Sequence, residues 1–350
     1  MLSAGVFRYS GGILERGEFL LISTRKKVLS FIITALGLVG LFLIAVNTGS
    51  LKVSPKELFY GLFVEYDPNV ATVYDLRFPR ILIAMLGGAA MAVSGVLLQA
   101  VMKNPLADPG IIGVSSGASL VAVLITAFFP QLFFFTPLFA FLGGILAFFL
   151  VYSLSYKGGL SPLRIILVGV AVNAMFTGIM GAFNSGTGNN FSGVASIVNA
   201  NITMKTWDDF ETLSIYSLVG LILSMFVTNQ CNLLQLEDKT ARSLGLNVNR
   251  SRIITSMIAV LLASISTAII GPISFLGLIV PHIARLLVGS NHKLLIPYSV
   301  LLGAFTFLLA DTVGRTIAYP FEINATVIMS VIGGPFFIIL LRGAKHGYGK

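Results

Sequence analysis

A chain of 350 residues that is 56% apolar and 11% charged, with a mean hydropathy of +0.92, has too little polar surface to coat a soluble core. This excludes a disordered chain, a secreted disulfide scaffold and a nucleic-acid binder, and it makes the bilayer the solvent for most of the residues. The net charge of +9 takes its meaning from where the charges fall.

A crossing helix needs about 20 apolar residues to traverse roughly 30 Å of hydrocarbon. Ten stretches approach this: 28–47, 80–102, 113–130, 134–154, 163–183, 212–231, 253–271, 274–290, 296–315 and 325–342. The first has too long an apolar run for a signal-peptide core, and no small-x-small cleavage site follows it. Residues 1–27 read as a cytoplasmic segment, 28–342 as one transmembrane domain and 343–350 as a cytoplasmic tail. Between Arg252 and Gly289 the apolar run is almost unbroken. One helix of that length would extend about 55 Å, so Gly271-Pro272 at its middle divides it into two spans.

Basic residues favour the cytoplasmic ends of spans. With both termini inside, all but six of the 23 Lys and Arg residues fall inside, the exceptions being Lys52, Lys56, Arg77, Arg80, Lys205 and Arg315. Glu57, Glu65, Asp67, Asp75, Asp208, Asp209, Glu211 and Glu322 fall outside. Both termini are therefore expected on the cytoplasmic side, and most of the net charge is an orientation signal.

Stretches 48–79 and 184–211 are polar enough for an outer, wet surface. Ala84, Gly88 and Ala92, and likewise Gly113 and Gly117, recur at every fourth position, a spacing that lets helices approach closely in lipid. In the inside turn MKNPLADPG (102–110), Asn104 and Asp108 can accept backbone hydrogen bonds. The inside stretch 232–252 differs. LLQLEDKTARSL reads as a short amphipathic helix, Gly245 as a turn, and LNVNRSR as the approach to the next span. Such a segment suits docking to a soluble partner, against the plainer reading of a solvated connector.

Ionisable groups within spans mark ion-coupled transport, and they are nearly absent here. Asp311 and Arg315, four apart, share a helix face near its outer end and can pair. The single cysteine, Cys231, has no intrachain partner and lies in an apolar stretch. With His282, His292 and His346 it shows no metal-ligand spacing, so neither metal nor cofactor is expected. No phosphate-binding loop and no nucleophile–base set are visible, so any uphill transport draws its energy from another subunit.

DLRFPRILIAMLGGAAMAVSGVLLQAVMKNPLADPGIIGVSSGASL (75–120) closely resembles the signature region of the iron-siderophore and vitamin B12 ABC-importer permeases, the FecCD-like transmembrane subunits. TARSLGLNVNRSR (240–252), GPISFLGLIVPHIARLLVGSNH (271–292), ADTVGR (310–315) and IGGPFFIILLR (332–342) resemble further blocks in the same order. The resemblance implies an all-α polytopic fold of about ten transmembrane helices in a bacterial cell membrane. It also implies a second permease subunit, identical or homologous, two cytoplasmic ATPase subunits and an extracytoplasmic binding protein that delivers an iron-siderophore, with haem or cobalamin as alternatives. Carried over by motif, Arg77, Arg80 and Arg315 would receive glutamates of the binding protein. Asn104 and Leu106 would form the cytoplasmic gate. Thr240, Ala241, Arg242, Ser243, Leu244, Gly245 and Leu246 would dock on the ATPase.

Two stretches depart from the family pattern. SIVNANITMKTWDDF (196–210) keeps only its Thr206-Trp207-Asp208 end, and Ile323-Asn324-Ala325-Thr326 replaces the usual Leu-Pro-Val-Gly after Glu322. Both lie toward the outer side of the path. The competing reading is a stand-alone ion-coupled carrier, which the missing mid-span carboxylates and the docking-like loop disfavour. An intramembrane enzyme would need a catalytic pair or metal cluster within the spans.

Overall fold

The computed structural model describes residues 23–48, 53–65, 67–155, 162–186, 194, 197, 200–203 and 205–344. The expected cytoplasmic segment up to residue 22, the tail from 345 and parts of the outer stretch 184–211 lie outside the described residues. The described residues are mainly helical, with no strand among them.

The helices are α1 (Thr24–Asn47), α2 (Pro55–Phe63), α3 (Pro68–Leu76), α4 (Phe78–Met102), α5 (Val114–Phe128), α6 (Thr136–Ser155) and α7 (Pro162–Gly186), with a 3-10 turn Pro130–Phe135 ahead of α6. They continue with α8 (Trp207–Phe226), α9 (Thr228–Leu234), α10 (Asp238–Ser243), α11 (Val248–Ile270), α12 (Leu276–Val288), α13 (His292–Thr316) and α14 (Ala325–Ala344). An apolar helix stands at each of the ten expected positions. Seven segments are long and apolar enough to cross a membrane, and three shorter apolar helices, Val114–Phe128, Leu276–Val288 and Ala325–Leu340, complete the set.

Polar caps start the helices where chain leaves loop. Ser54 and Glu57 form a reciprocal capping box on α2, and Thr206 with Asp209 does the same on α8. Asp67 caps α3, Asn247 caps α11 and Asn291 caps α13. Each side chain satisfies backbone N–H groups that a first turn leaves without intrahelical partners.

Small residues decide which helices lie at the centre. α4 packs against α8, α11, α12 and α13, and most of its length is buried. At the α4–α13 crossing a Cβ on Gly88 would stand 2.5 Å from the Gly303 carbonyl oxygen, and one on Gly303 would meet the Gly88 oxygen at 2.6 Å. Ala92 faces the same crossing, so the Ala84–Gly88–Ala92 stripe acts as the spacing predicts. Gly117 crosses Gly143 of α6 in the same way. Gly113 does not extend that stripe: it caps α5 at φ +82°, a left-handed conformation suited to glycine. The outermost helix, α1, presents Ile33, Leu36, Val39 and Ile44 outward, and it is held to α13 by Phe31 edge-on to Tyr298 and by the Thr34–Tyr298 hydroxyl bond of 2.9 Å.

Non-helical chain leads into two of the expected spans. Ser94 bonds the Ala259 carbonyl and Ser266 bonds the Gly87 carbonyl, so α4 and α11 run antiparallel. Gly87 lies against Ile270, whereas Gly95 has no room for a Cβ against the Gly277 backbone. Between these two levels, about 12 Å along α4, the chain 271–275 is non-helical. The eighth span, expected over 274–290, is therefore the 13-residue α12, entered through this non-helical stretch. The third span, expected over 113–130, is the 15-residue α5, entered through the folded turn 103–113. Irregular backbone is tolerated at membrane depth only when protein covers it, and Asn104, Ala107, Asp108, Ile112 and Ile273 are buried.

The segment 232–252, expected inside, is shorter in helix than its pattern predicts. Leu233 and Leu234 end α9, only Asp238–Ser243 forms the separate helix, and Arg250 and Arg252 already lie inside α11. Cys231 is fully buried in α9.

Candidate functional site

Three clusters gather the residues singled out in the sequence. At the end of the bundle where α3 passes into α4, Arg80 donates to Asp311 Oδ1 from Nη2 at 2.8 Å and from Nε at 3.1 Å, and to Glu322 from Nη1 at 2.8 Å. Arg315 Nε lies 3.1 Å from the second Asp311 oxygen. The expected Asp311–Arg315 pair is therefore present, but Asp311 serves two guanidiniums. Side-chain exposure is 7% for Arg80, 5% for Arg315 and 1% for Asp311, against 38% for Glu322. Arg77 is half-buried and donates to the Val46 carbonyl at 2.6 Å, while Arg315 reaches the Ala45 carbonyl at 3.3 Å, so both also hold the end of α1.

Glu322 and Thr203 were not linked by any local pattern, yet the Thr203 hydroxyl donates to Glu322 at 2.9 Å. Partial burial pushes the Glu322 carboxyl up, but its bonds and attraction to Arg80 outweigh this and hold it below the usual carboxylate value. The departing stretch after Glu322 folds back onto α13, where the Ile323 amide donates to the Gly314 carbonyl at 2.9 Å.

At the opposite end of α4 lies the turn 103–113. Asn104 is 2% exposed and its Oδ1 accepts from the Leu106 amide at 3.0 Å. Leu106 is half-buried. Asp108, fully buried, accepts from the Gly110 and Ile111 amides at 2.9 Å each. Both side chains thus accept backbone hydrogen bonds as the turn composition predicts. Asp108 does more than the composition suggests, because its second oxygen faces Gly277 in the first turn of α12, where a carboxylate is stabilised by the helix dipole. Gln99 of α4 donates to both the Ala107 and Gly277 carbonyls, at 3.2 and 3.1 Å. Side chains from α4 and the turn therefore fasten 103–113 to the start of α12.

The third cluster is the segment around α10. Ala241 is buried with Val101, Leu234 and Val248 in a small core of their own, with Leu246 packed against it. Gly245 turns at φ +86° with nothing within 4 Å of a Cβ placed there, and the Leu246 amide reaches back to the Ala241 carbonyl at 3.0 Å. Arg242, Gly245, Leu246, Asn247, Val248 and Asn249 line a shallow depression of about 430 Å³. Leu244 beside it is 60% exposed. Thr240 and Ser243 stay near the surface, joined by the Ser243 hydroxyl bond to the Thr240 carbonyl.

This architecture is that of a polytopic transport permease, and comparison with solved structures narrows it to an ABC importer. The chain resembles the inward-facing conformation of a metal-chelate type ABC transporter with a TM-score of 0.74 and 28% identity, covering 90% of this chain and 99% of that one. It shares the fold of PsaBC from Streptococcus pneumoniae at a TM-score of 0.54 and 18% identity, covering 82% and 95%. The profile of the FecCD transport family matches residues 37–343, and the chain belongs to that family. It is 42% identical over 322 residues to the Probable heme-iron transport system permease protein IsdF of Staphylococcus aureus strain Newman, covering 92% of this chain and 98% of the relative. The IsdF of strain MSSA476 is 41% identical over the same length. The protein is thus a multi-pass membrane permease, the translocation subunit of an ABC importer.

Proposed function

We propose that this subunit carries an iron chelate across a bacterial plasma membrane, with haem iron as the favoured cargo. The named substrate of the relative that is 42% identical over 92% of the chain carries that choice. An iron-siderophore remains the second reading, supported by the family resemblance of the motifs and by the metal-chelate description of the structural neighbour. The working assembly pairs two permease subunits with two ATPase subunits and a binding protein, and ATP is hydrolysed in the ATPase alone. Both termini face the cytoplasm, a reading supported by the distribution of basic residues.

Within that assembly Asn104 and Leu106 close the path on the cytoplasmic side. The segment Thr240–Leu246 seats on the ATPase, supported by its shallow depression and exposed Leu244. Arg77, Arg80 and Arg315 receive the binding protein. Arg80 and Arg315 are buried under their own carboxylate partners, so docking there is an exchange: the half-exposed Glu322 gives way to an incoming carboxylate while Asp311 stays. Exchange of one partner for another yields little net affinity, so the arginines chiefly steer and orient.

The test is uptake into liposomes holding the permease with its cognate ATPase and binding protein. ATP-dependent accumulation of haemin is the expected result. Accumulation of a ferric siderophore but not haemin would move the cargo to the second reading. Uptake driven by a proton gradient with no ATPase present would overturn the importer reading.

A further inference from the structure

The gate turn and the docking segment are separate in sequence, yet one lysine joins them. Lys103 ends α4 and begins the turn that carries Asn104 and Leu106. Its ammonium donates to Asp238 Oδ1 at 2.7 Å and to the Leu236 carbonyl at 2.6 Å. Asp238 opens α10, and the same Oδ1 accepts from Arg252 Nη2 at 2.8 Å. One carboxylate therefore holds the exit of α4 and the first turns of α11 to the docking helix.

The backbone at Lys103 makes this joint more telling. Its φ is +49° and its ψ +36°, a left-handed conformation that glycine adopts freely and other L-residues adopt at a cost of about 1–2 kcal/mol. A position that the backbone would give to glycine is filled by a side chain whose far end is bound to the docking segment. Beneath the ion pairs, Val101 of α4 packs with Leu234, Ala241 and Val248, all no more than 2% exposed. The core supplies cohesion and the charges supply alignment. Asp238 is held below its usual carboxyl value first by the Lys103 hydrogen bond and then by the Arg252 charge, against some burial. It is accordingly ionised throughout the physiological range.

We infer that Asp238 is the positioning residue through which the docking segment sets the gate turn, by holding Lys103 at the exit of α4. This rests on the proposed roles of Thr240–Leu246 and of Asn104 and Leu106. Movement of α10 with the ATPase is then transmitted to Asn104 through the side-chain bridge next to it in sequence, above the packing of Val101 on Ala241. The ion pairs are partly exposed, so their removal weakens transmission without unfolding the bundle.

The experiment uses the complete transporter in liposomes and measures three quantities for each variant: ATPase association, ATP hydrolysis, and cargo moved per ATP. Asp238→Asn is expected to bind the ATPase and hydrolyse ATP as the parent does, while cargo per ATP falls about two- to fivefold. Lys103→Glu alone is expected to show the same loss. Combining Lys103→Glu with Asp238→Lys, and with Arg252→Glu so that the new ammonium meets no like charge, restores the opposite-charge pairs and is expected to recover most of the ratio. An unchanged ratio in Asp238→Asn would overturn the inference. So would a lowered ratio that the charge-reversed combination does not recover, since that is the mark of a merely structural role. Failure of the underlying docking reading has a different signature: ATPase association that is indifferent to Gly245→Val, whatever the Asp238 variants do.

Discussion

Arg80 and Asp311, on different helices and 231 positions apart, are joined by two hydrogen bonds of 2.8 and 3.1 Å, with neither side chain more than 7% exposed. The bond ties the Phe78 end of α4 to α13, the two helices whose glycines meet at Gly88 and Gly303 further along the same crossing. Polar closure at one end and glycine packing in the middle thus act on one helix pair.

Asp311→Ala leaves the Arg80 and Arg315 guanidiniums buried with too few acceptors. Removing one partner of a buried pair costs about 3–5 kcal/mol. The variant is expected to unfold at a markedly lower temperature in detergent. A melting temperature equal to that of the parent would show that the cluster contributes nothing to closure at this end of the bundle.

Gly88→Leu places a branched side chain where a Cβ alone would stand 2.5 Å from the Gly303 oxygen. Overpacking of this kind costs about 1–3 kcal/mol, and it forces α4 and α13 apart. The yield of monodisperse protein in size-exclusion chromatography should fall. Gly334→Ala, where nothing lies within 4 Å, should behave as the parent.

Gly245→Val acts through the backbone, since no neighbour crowds the site. A β-branched residue at φ +86° costs about 1–2 kcal/mol locally and reshapes the turn bordering the depression. ATPase association is expected to weaken while the permease itself remains folded. Undiminished stimulation of the ATPase in liposomes would sink the docking role of this segment.

Charge reversal at Arg77, Arg80 and Arg315 together sets like charges around Asp311 and is expected to lower the melting temperature. In the fraction that still elutes as folded protein it is expected to weaken binding-protein capture, and by more at low salt, where charges act over a longer range. Identical affinity in the triple variant at every salt concentration would remove these residues from the docking surface.

Single cysteines at Lys293 and Asp67 are expected to react with an impermeant thiol reagent from the inside and the outside respectively. The native Cys231 is fully buried, so background labelling should be low. Labelling of Lys293→Cys from outside would invert the proposed topology.

Much of the fold was legible because hydropathy is a local property. Each of the ten apolar stretches is a helix, and the boundaries differ mostly by a few residues. Local chemistry was also readable in the turn 103–113, where Asn104 and Asp108 bond the amides that their types predict. The segment 233–244 was less so. LLQLEDKTARSL has one continuous amphipathic pattern, but Leu234 is drawn into the small core beside Val101, and the helix breaks between Leu234 and Asp238. The partners of Arg80 were not visible at all, because an ion pair across 231 residues leaves no periodicity behind.

By itself, then, the sequence determined that the chain lies in a bilayer, which stretches are apolar enough to cross it, and which helices carry small residues for close packing. These follow from side-chain transfer energies and helix geometry, which act residue by residue. Only the tertiary structure decided that Gly271–Phe275 passes through the bundle as non-helical chain, that Asp311 serves two arginines, and that Lys103 reaches Asp238. Each of these depends on what a neighbouring helix places opposite. Buried backbone and buried charge are tolerated only when such a partner is present.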